Sequence, residues 1–172
     1  MIKIWTEKTL KDALKKLTVV IDTREQQNCH ITDFFDKKSI GYTPRKLDIG
    51  DYACQIDEGT FERSFVIERK HNLDELCANL TADRNRFERE FLRAKAFGTK
   101  VFLIIEEASW EDVYLQNYRS KLSSKSLLAS LFAWQTRFNV TILFCKKTNT
   151  PQLIYGILYY SAREELLGKA VD

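Results

Sequence analysis

The chain has 172 residues, 44 % of them hydrophobic and 30 % charged, which is enough to bury one core beneath a polar surface. Two Pro and six Gly leave no stretch composed like a flexible linker or low-complexity tail, so a single domain over residues 1–172 is expected. A net charge of +3 does not by itself mark a nucleic-acid partner, so any such signal must lie in local clusters.

The opening segment "MIKIWTEKTLKDALKKL" contains Glu7 and Asp12 and lacks the apolar stretch of a signal peptide. Leu10, Ala13, Leu14 and Leu17 share one face of a helix predicted over residues 6–17. "TVVID" (18–22) is β-branched and apolar and reads as a strand buried on both faces. "ITDFFDKKS" (31–39) reads as a short helix. Residues 41–70 read as strand, break at Gly50, strand, turn at "DEGT" and strand. Residues 72–96 are helical, in two pieces broken near Thr81, and "KVFLIIEE" (100–107) is a strand. Helices over 109–117 and 124–138, a strand at 140–145 and a closing helix over 151–167 complete the chain.

Strands alternating with helices predict an α/β sandwich with its core at about 18–145 and the terminal helices packed on it. The central hairpin makes the sheet mixed. There is no G-x-G-x-x-G or Walker A sequence, and so no nucleotide cofactor is expected. No apolar run approaches the roughly 18 to 20 residues of a membrane span. Cys29, Cys54, Cys77 and Cys145 are scattered, with no C-x-x-C pair and no ligand spacing to His30 or His71. That pattern points to reduced thiols in a cytoplasmic, intracellular protein rather than to disulfides or zinc.

"SFVIERKHNLDEL" (64–76) drives a core-like strand directly into three charges. On a strand, residues two apart share a side, so Glu68 and Lys70 face one way and Arg69 the other. A hairpin centred between Glu58 and Gly59 sets Asp51 opposite Val66, which joins Asp51 to the Glu68 and Lys70 face. A slip of one residue would reverse this. Gly50 marks a bend that aims Asp51. Asp22 ends the first strand, Glu25 follows within one turn, and sites in open α/β sheets gather beyond the strands' carboxyl ends. Asp74 lies in the first turn of the next helix, where Asn72 and Glu75 have the spacing of a capping box. Asp51 and Glu68 supply hard oxygens for Mg²⁺ or Mn²⁺, with Asp22, Asp74 or Glu25 to complete or support the site. Lys70 orients or deprotonates the attacking water, or stabilises charge on a phosphate. Such a centre suits phosphodiester hydrolysis.

"GDY" (50–52) followed by "VIERKHNLD" (66–74) resembles the G-D-x…V-x-E-R-K-x-x-x-D signature of XPF/Hef-type nuclease domains. These belong to the PD-(D/E)xK superfamily, and "IDTRE" (21–25) resembles their first acidic motif. The resemblance spans roughly residues 19–144. It implies a three-layer α/β/α restriction-endonuclease-like fold with a mixed central sheet. It also implies metal-binding roles for Asp51 and Glu68, a catalytic Lys70 and a supporting Arg69. Asp22, which could also reach the metal, Glu25 and Asp74 would be acidic residues of the same site. The family cuts branched DNA such as flaps and forks with a divalent metal, and its members commonly dimerise. Two features depart from it: no helix-hairpin-helix module is visible, and the usual D-G-R motif is blurred as "TADRNRFERE".

Without that module, DNA must lie on the domain's own surface. The candidates are Arg84 and Arg86 after the signature, then Arg119, Lys121 and Lys125 around a helix start with Ser123 as N-cap. Trp134, Phe138, Ile154, Tyr155 and Leu158 read as core, and any exposed remainder of their helices offers a homodimer surface. The sequence therefore reads as a metal-dependent DNA endonuclease, and a domain of this length suits a phage or mobile-element gene. The alternative is a DNA-binding or scaffolding module of the same fold that has lost catalysis; intact Asp51, Glu68 and Lys70 argue against it.

Overall fold

The computed structural model describes residues 5–168. In chain order the elements are α1 (Glu7–Leu14), β1 (Leu17–Ile21), α2 (Cys29–Lys37), β2 (Tyr42–Pro44), β3 (Tyr52–Ile56), β4 (Gly59–Thr60) and β5 (Phe65–Lys70). They continue with α3 (Leu73–Thr81), α4 (Arg84–Ala96), β6 (Lys100–Glu106), α5 (Trp110–Tyr114), α6 (Ser124–Phe138), β7 (Val140–Cys145) and α7 (Thr150–Gly168). Strands run β2-β1-β3-β5-β6-β7, with β4 added to β3. The sheet is mixed, as expected. β1 is parallel to β2, β3 is antiparallel to both β1 and β5, and β5, β6 and β7 are parallel.

Strand alternation divides the core between two faces. Val20, Ala53, Val66, Leu103 and Ile105 face α3, α4 and α6, whose Leu76, Phe87, Phe91, Leu127 and Trp134 cover them. Phe87, Phe91 and Trp134 meet edge to face or tilted, with centroids 4.7 to 5.3 Å apart, which locks α4 to α6. Val19, Ile21, Tyr52, Ile67 and Ile104 face the other way, under α1, α2 and α7 with Leu14, Phe35, Ile154 and Leu158. The result is three layers. Among the described residues no helix is long and apolar enough to cross a membrane. All four cysteines are unpaired.

Several boundaries differ from the sequence reading for local reasons. Leu17 leaves the first helix and opens β1, where it is buried opposite Ile56. The predicted helix at 109–117 shortens to five residues, because Gln116 takes a left-handed φ of 55° and reverses the chain. The strand expected to follow "DEGT" breaks at residues 61–64, where Ser64 N–H donates to the Phe61 carbonyl at 2.8 Å. β4 closes a two-residue turn on β3 with Ile56 opposite Gly59, whereas β5 rejoins β3 with Tyr52 opposite Ile67. That register sets Asp51 level with Glu68 rather than Val66. The slip is two residues, an even number, so every side chain keeps its face.

Candidate active site

Gly50 turns the chain with a left-handed φ of 74°. A Cβ there would lie 2.9 Å from the Ile67 carbonyl oxygen and 3.0 Å from Val66 Cβ, so only glycine lets the two strands approach. The turn ends with Asp51 N–H donating to the Ile67 carbonyl at 2.7 Å. The Asp51 side chain then takes over the ladder, accepting Arg69 N–H on Oδ2 at 2.8 Å. Backbone and side chain together fix Asp51 against the end of β5.

Asp51, Glu68 and Lys70 line one cleft of about 240 Å³, with Arg24, Asp48, Asn79, Arg86, Phe87 and Glu90. Lys70 Nζ donates to Glu68 Oε1 at 2.8 Å, lies 3.8 Å from Glu75 Oε1, and rests 4.8 Å from the centre of the Phe87 ring. Burial, then the charges of Glu68 and Glu25, hold the Asp51 carboxyl well above the usual carboxylate range. Burial opposes the Lys70 charge, but Glu68 and Asp51 more than offset it and raise its pKa. Lys70 is therefore an ammonium that donates hydrogen bonds and does not accept a proton. Burial, then Glu68, also raises Glu90. A larger opening of about 650 Å³ follows α7, but its lining of Asn149, Gln152, Leu153, Gly156, Ile157 and Tyr160 offers no carboxylate and no cation. The smaller polar cleft is the one that gathers carboxylates and cations.

The other acidic residues of the sequence reading do not line this cleft. Asp22 turns both oxygens to Arg24 and to the Leu47 N–H, the last at 2.6 Å. Glu25 Oε1 accepts the Tyr52 hydroxyl at 3.0 Å and pairs with Arg69 Nη1. Asp74 accepts the backbone N–H groups of Arg119 and Ser120 at 2.8 and 3.1 Å, plus Arg119 Nε at 3.1 Å, and so braces the α5–α6 loop. Asn72 caps α3 by accepting Glu75 N–H at 2.9 Å, while the Glu75 carboxylate reaches His71 N–H at 2.7 Å, one residue before the cap. Arg69 is buried on the opposite face of the sheet. Its Nε and Nη2 meet Glu106 at 3.0 and 3.3 Å, and Glu106 also holds His30 Nε2 at 2.9 Å.

Of the proposed DNA contacts, Arg86 lines the cleft. Arg84 is tied to Glu88 at 3.1 Å, and Arg119 to Asp74. Lys121 and Lys125 are exposed beside the start of α6, which Ser123 caps by accepting Ser126 N–H.

Sequence reasoning missed Arg24, Asp48, Asn79 and Glu90 in the cleft and Glu106 behind it. Signals existed for two of them. Glu90 is four residues after Arg86 on one helix, hence on one face with it. Glu106 ends a buried strand with a charge, as the E-R-K triple ends β5.

A divalent cation can be tested against this donor set. Among the described residues no three His, Cys, Asp or Glu side chains converge on one point. Four carboxylates, Asp48, Asp51, Glu68 and Glu90, do line the cleft, and burial, then the Glu68 charge, raises Asp51. The buried Asn79 Oδ1 in the same cleft has no hydrogen-bond partner among the described residues, leaving an acceptor for a water shell. Mg²⁺ commonly takes one or two carboxylates and keeps waters or substrate phosphates for the rest, so the residues fit it.

The mixed sheet thus carries a cleft of carboxylates and one lysine at the end of adjacent strands. The ERCC4 domain family model matches residues 21–155, and the chain belongs to that family of nuclease domains. XPF from Aeropyrum pernix is similar in structure at 23 % identity and a TM-score of 0.64, over 86 % of this chain and 63 % of that one. XPF from Aeropyrum pernix in complex with DNA is similar at 20 % identity and a TM-score of 0.63, over 86 % and 66 % of the two chains. At these identities the likeness is one of fold, and the chain spans less than two thirds of the length of those proteins. No curated protein sequence matches it significantly.

Proposed function

We propose that the protein is a divalent-metal-dependent DNA endonuclease acting on branched, flapped or forked DNA in repair or recombination. The observation that carries this reading is the convergence of Asp51, Glu68 and Lys70 in one cleft. Family membership and the likeness to an XPF–DNA complex support a DNA substrate. Asp51 and Glu68 would hold Mg²⁺ or Mn²⁺, which lowers the pKa of water and offsets phosphate charge. Lys70, as an ammonium, donates to the phosphate oxygen on which charge grows as water attacks phosphorus and the P–O bond breaks. Glu68 and Phe87 hold that ammonium in place. Arg69 supports the site from behind the sheet. Arg86 and the exposed Lys121 and Lys125 supply phosphate contacts, with Arg84 and Arg119 flanking them.

Lys70→Ala is expected to lower cleavage about 10² to 10³-fold, the scale of one lost charge-stabilising donor. DNA affinity should change little, because one of several phosphate contacts is lost. Binding and single-turnover cleavage, measured on the same preparation, check this. Undiminished cleavage by the folded variant would remove Lys70 from the chemistry.

A homodimer belongs to the same proposal, with the apolar groove of α7 as its surface. Leu153 and Ile157 line the groove, and Tyr160 is 64 % exposed. Light scattering at micromolar concentration should give twice the 20.2 kDa chain mass, and a monomer at all concentrations sinks this part.

A further inference from the structure

We propose that Arg24 is a substrate contact, a guanidinium pre-set at the mouth of the cleft to grip a DNA phosphate beside the one being cut. Asp22 is its positioning residue. The inference rests on the nuclease reading of the cleft and adds to it a residue given no role so far.

Arg24 lines the cleft together with Asp51, Glu68, Lys70 and Arg86. Its side chain is 63 % exposed, whereas that of Asp22 beneath it is 1 % exposed. Exposed arginines are ordinarily mobile. This one is held as a fork, with Nε on Asp22 Oδ1 at 2.7 Å and Nη2 on Asp22 Oδ2 at 3.1 Å. Nη2 also donates to the Leu47 carbonyl at 2.8 Å. Nη1 donates to no described residue. Nε and both Nη2 hydrogens are thus committed, and the two Nη1 hydrogens have no described partner.

A purely structural role does not need this arrangement. Asp22 already ties the end of β1 to the following loops through the N–H groups of Arg24 and Leu47, at 2.8 and 2.6 Å. The guanidinium adds a bond to the Leu47 carbonyl and a counter-charge for the buried Asp22, yet it lies mostly in solvent. What it adds is a planar cation whose orientation is fixed before a ligand arrives. Its free Nη1 can donate to a phosphate oxygen, and holding the group in advance lowers the ordering cost of binding. The charges in the cleft agree. A bound cation would offset Asp51 and Glu68, and Lys70, Arg24 and Arg86 would then outnumber Asp48 and Glu90, the remaining acids of the cleft.

The test compares the wild type with Arg24→Gln and Arg24→Lys, both at an exposed side chain. Affinity for a forked duplex is titrated against salt in chelator, Mn²⁺ affinity is measured by calorimetry, and cleavage is resolved into kcat and KM. Arg24→Gln should flatten the log–log salt dependence of binding by about 0.9. It should raise KM about tenfold or more, the scale of a lost hydrogen bond to a charged group. Mn²⁺ affinity should stay within about twofold of wild type. Arg24→Lys keeps the charge but not the fork, so its salt slope should match wild type while KM falls between the other two. An unchanged slope and KM in Arg24→Gln overturn the proposal, and so does a drop in Mn²⁺ affinity that accounts for lost cleavage. Wild-type protein that neither binds nor cuts DNA overturns the nuclease reading, and this inference with it. Wild-type protein that cuts, alongside an unaffected Arg24→Gln, overturns this inference alone.

Discussion

Asp51→Asn is expected to remove cleavage while making the metal-free protein more stable. Burial and Glu68 raise the Asp51 pKa in the fold, so at neutral pH the ionised carboxylate works against folding. The sign follows from linkage. A carboxyl whose folded pKa exceeds its unfolded value imposes no penalty below the unfolded pKa, about 4. The penalty grows as pH rises to the folded value and is then constant. Asn removes the charge yet keeps an oxygen for Arg69 N–H, so the local fold survives. At pH 8 in chelator the variant should melt several degrees higher, each kcal/mol being worth about 2 to 4 °C at this length. Near pH 4 the two proteins should converge. Cleavage should fall about 10³-fold, because a cation worth several kcal/mol to the transition state loses a ligand. Thermal melts at both pH values, beside a cleavage assay, check both halves. A lower melting point at pH 8, or intact cleavage, would contradict the reading.

Arg69→Met should produce the largest loss of stability. The Arg69 side chain is 1 % exposed and pairs with Glu106 and Glu25, both nearly as buried. Arg69 and His30 hold the Glu106 carboxylate below its usual range despite its burial. Methionine fills most of the volume but deprives the buried Glu25 and Glu106 carboxylates of their shared guanidinium. Breaking a buried pair from one side costs about 3 to 5 kcal/mol, which at about 2 to 4 °C per kcal/mol lowers the melting point by roughly 6 to 20 °C. Adding Glu106→Gln should restore part of that loss, since one stranded charge disappears. Scanning calorimetry of the two single variants and the double variant measures the coupling. A change of less than about 2 °C in Arg69→Met would show that the network does not secure the end of β5. In the proposed mechanism Arg69 would be a positioning residue, acting through the strand that carries Glu68 and Lys70.

The part of the site that was legible in the sequence is the part written in strand parity. Glu68 and Lys70 share a face whatever the fold around them, and Asp51 joined them because the hairpin slipped by two residues rather than one. The two-piece helix at 72–96 was legible too, and α3 and α4 break at residues 82–83. What stayed hidden depends on contacts between distant segments. Asp74 sits beside the signature in sequence, yet it turns to backbone N–H groups 45 and 46 residues away. Glu25 and Arg69 meet across 44 residues, and no local pattern announces that. Arg24 lies in a loop with no period, and the Leu47 carbonyl that helps to hold its guanidinium is 23 residues away. Motif spacing names the residues of such a site. Only packing divides them between the cleft and its supports.

The most direct measurement incubates the pure protein with labelled forked, flapped, junction and linear duplex DNA, with Mg²⁺, with Mn²⁺ and with chelator. The prediction is metal-dependent cutting near the branch, absent in chelator and lost in Asp51→Asn and Lys70→Ala. Folded protein that binds these DNAs but cuts none of them with either metal would contradict the nuclease reading and leave a DNA-binding module of the same fold.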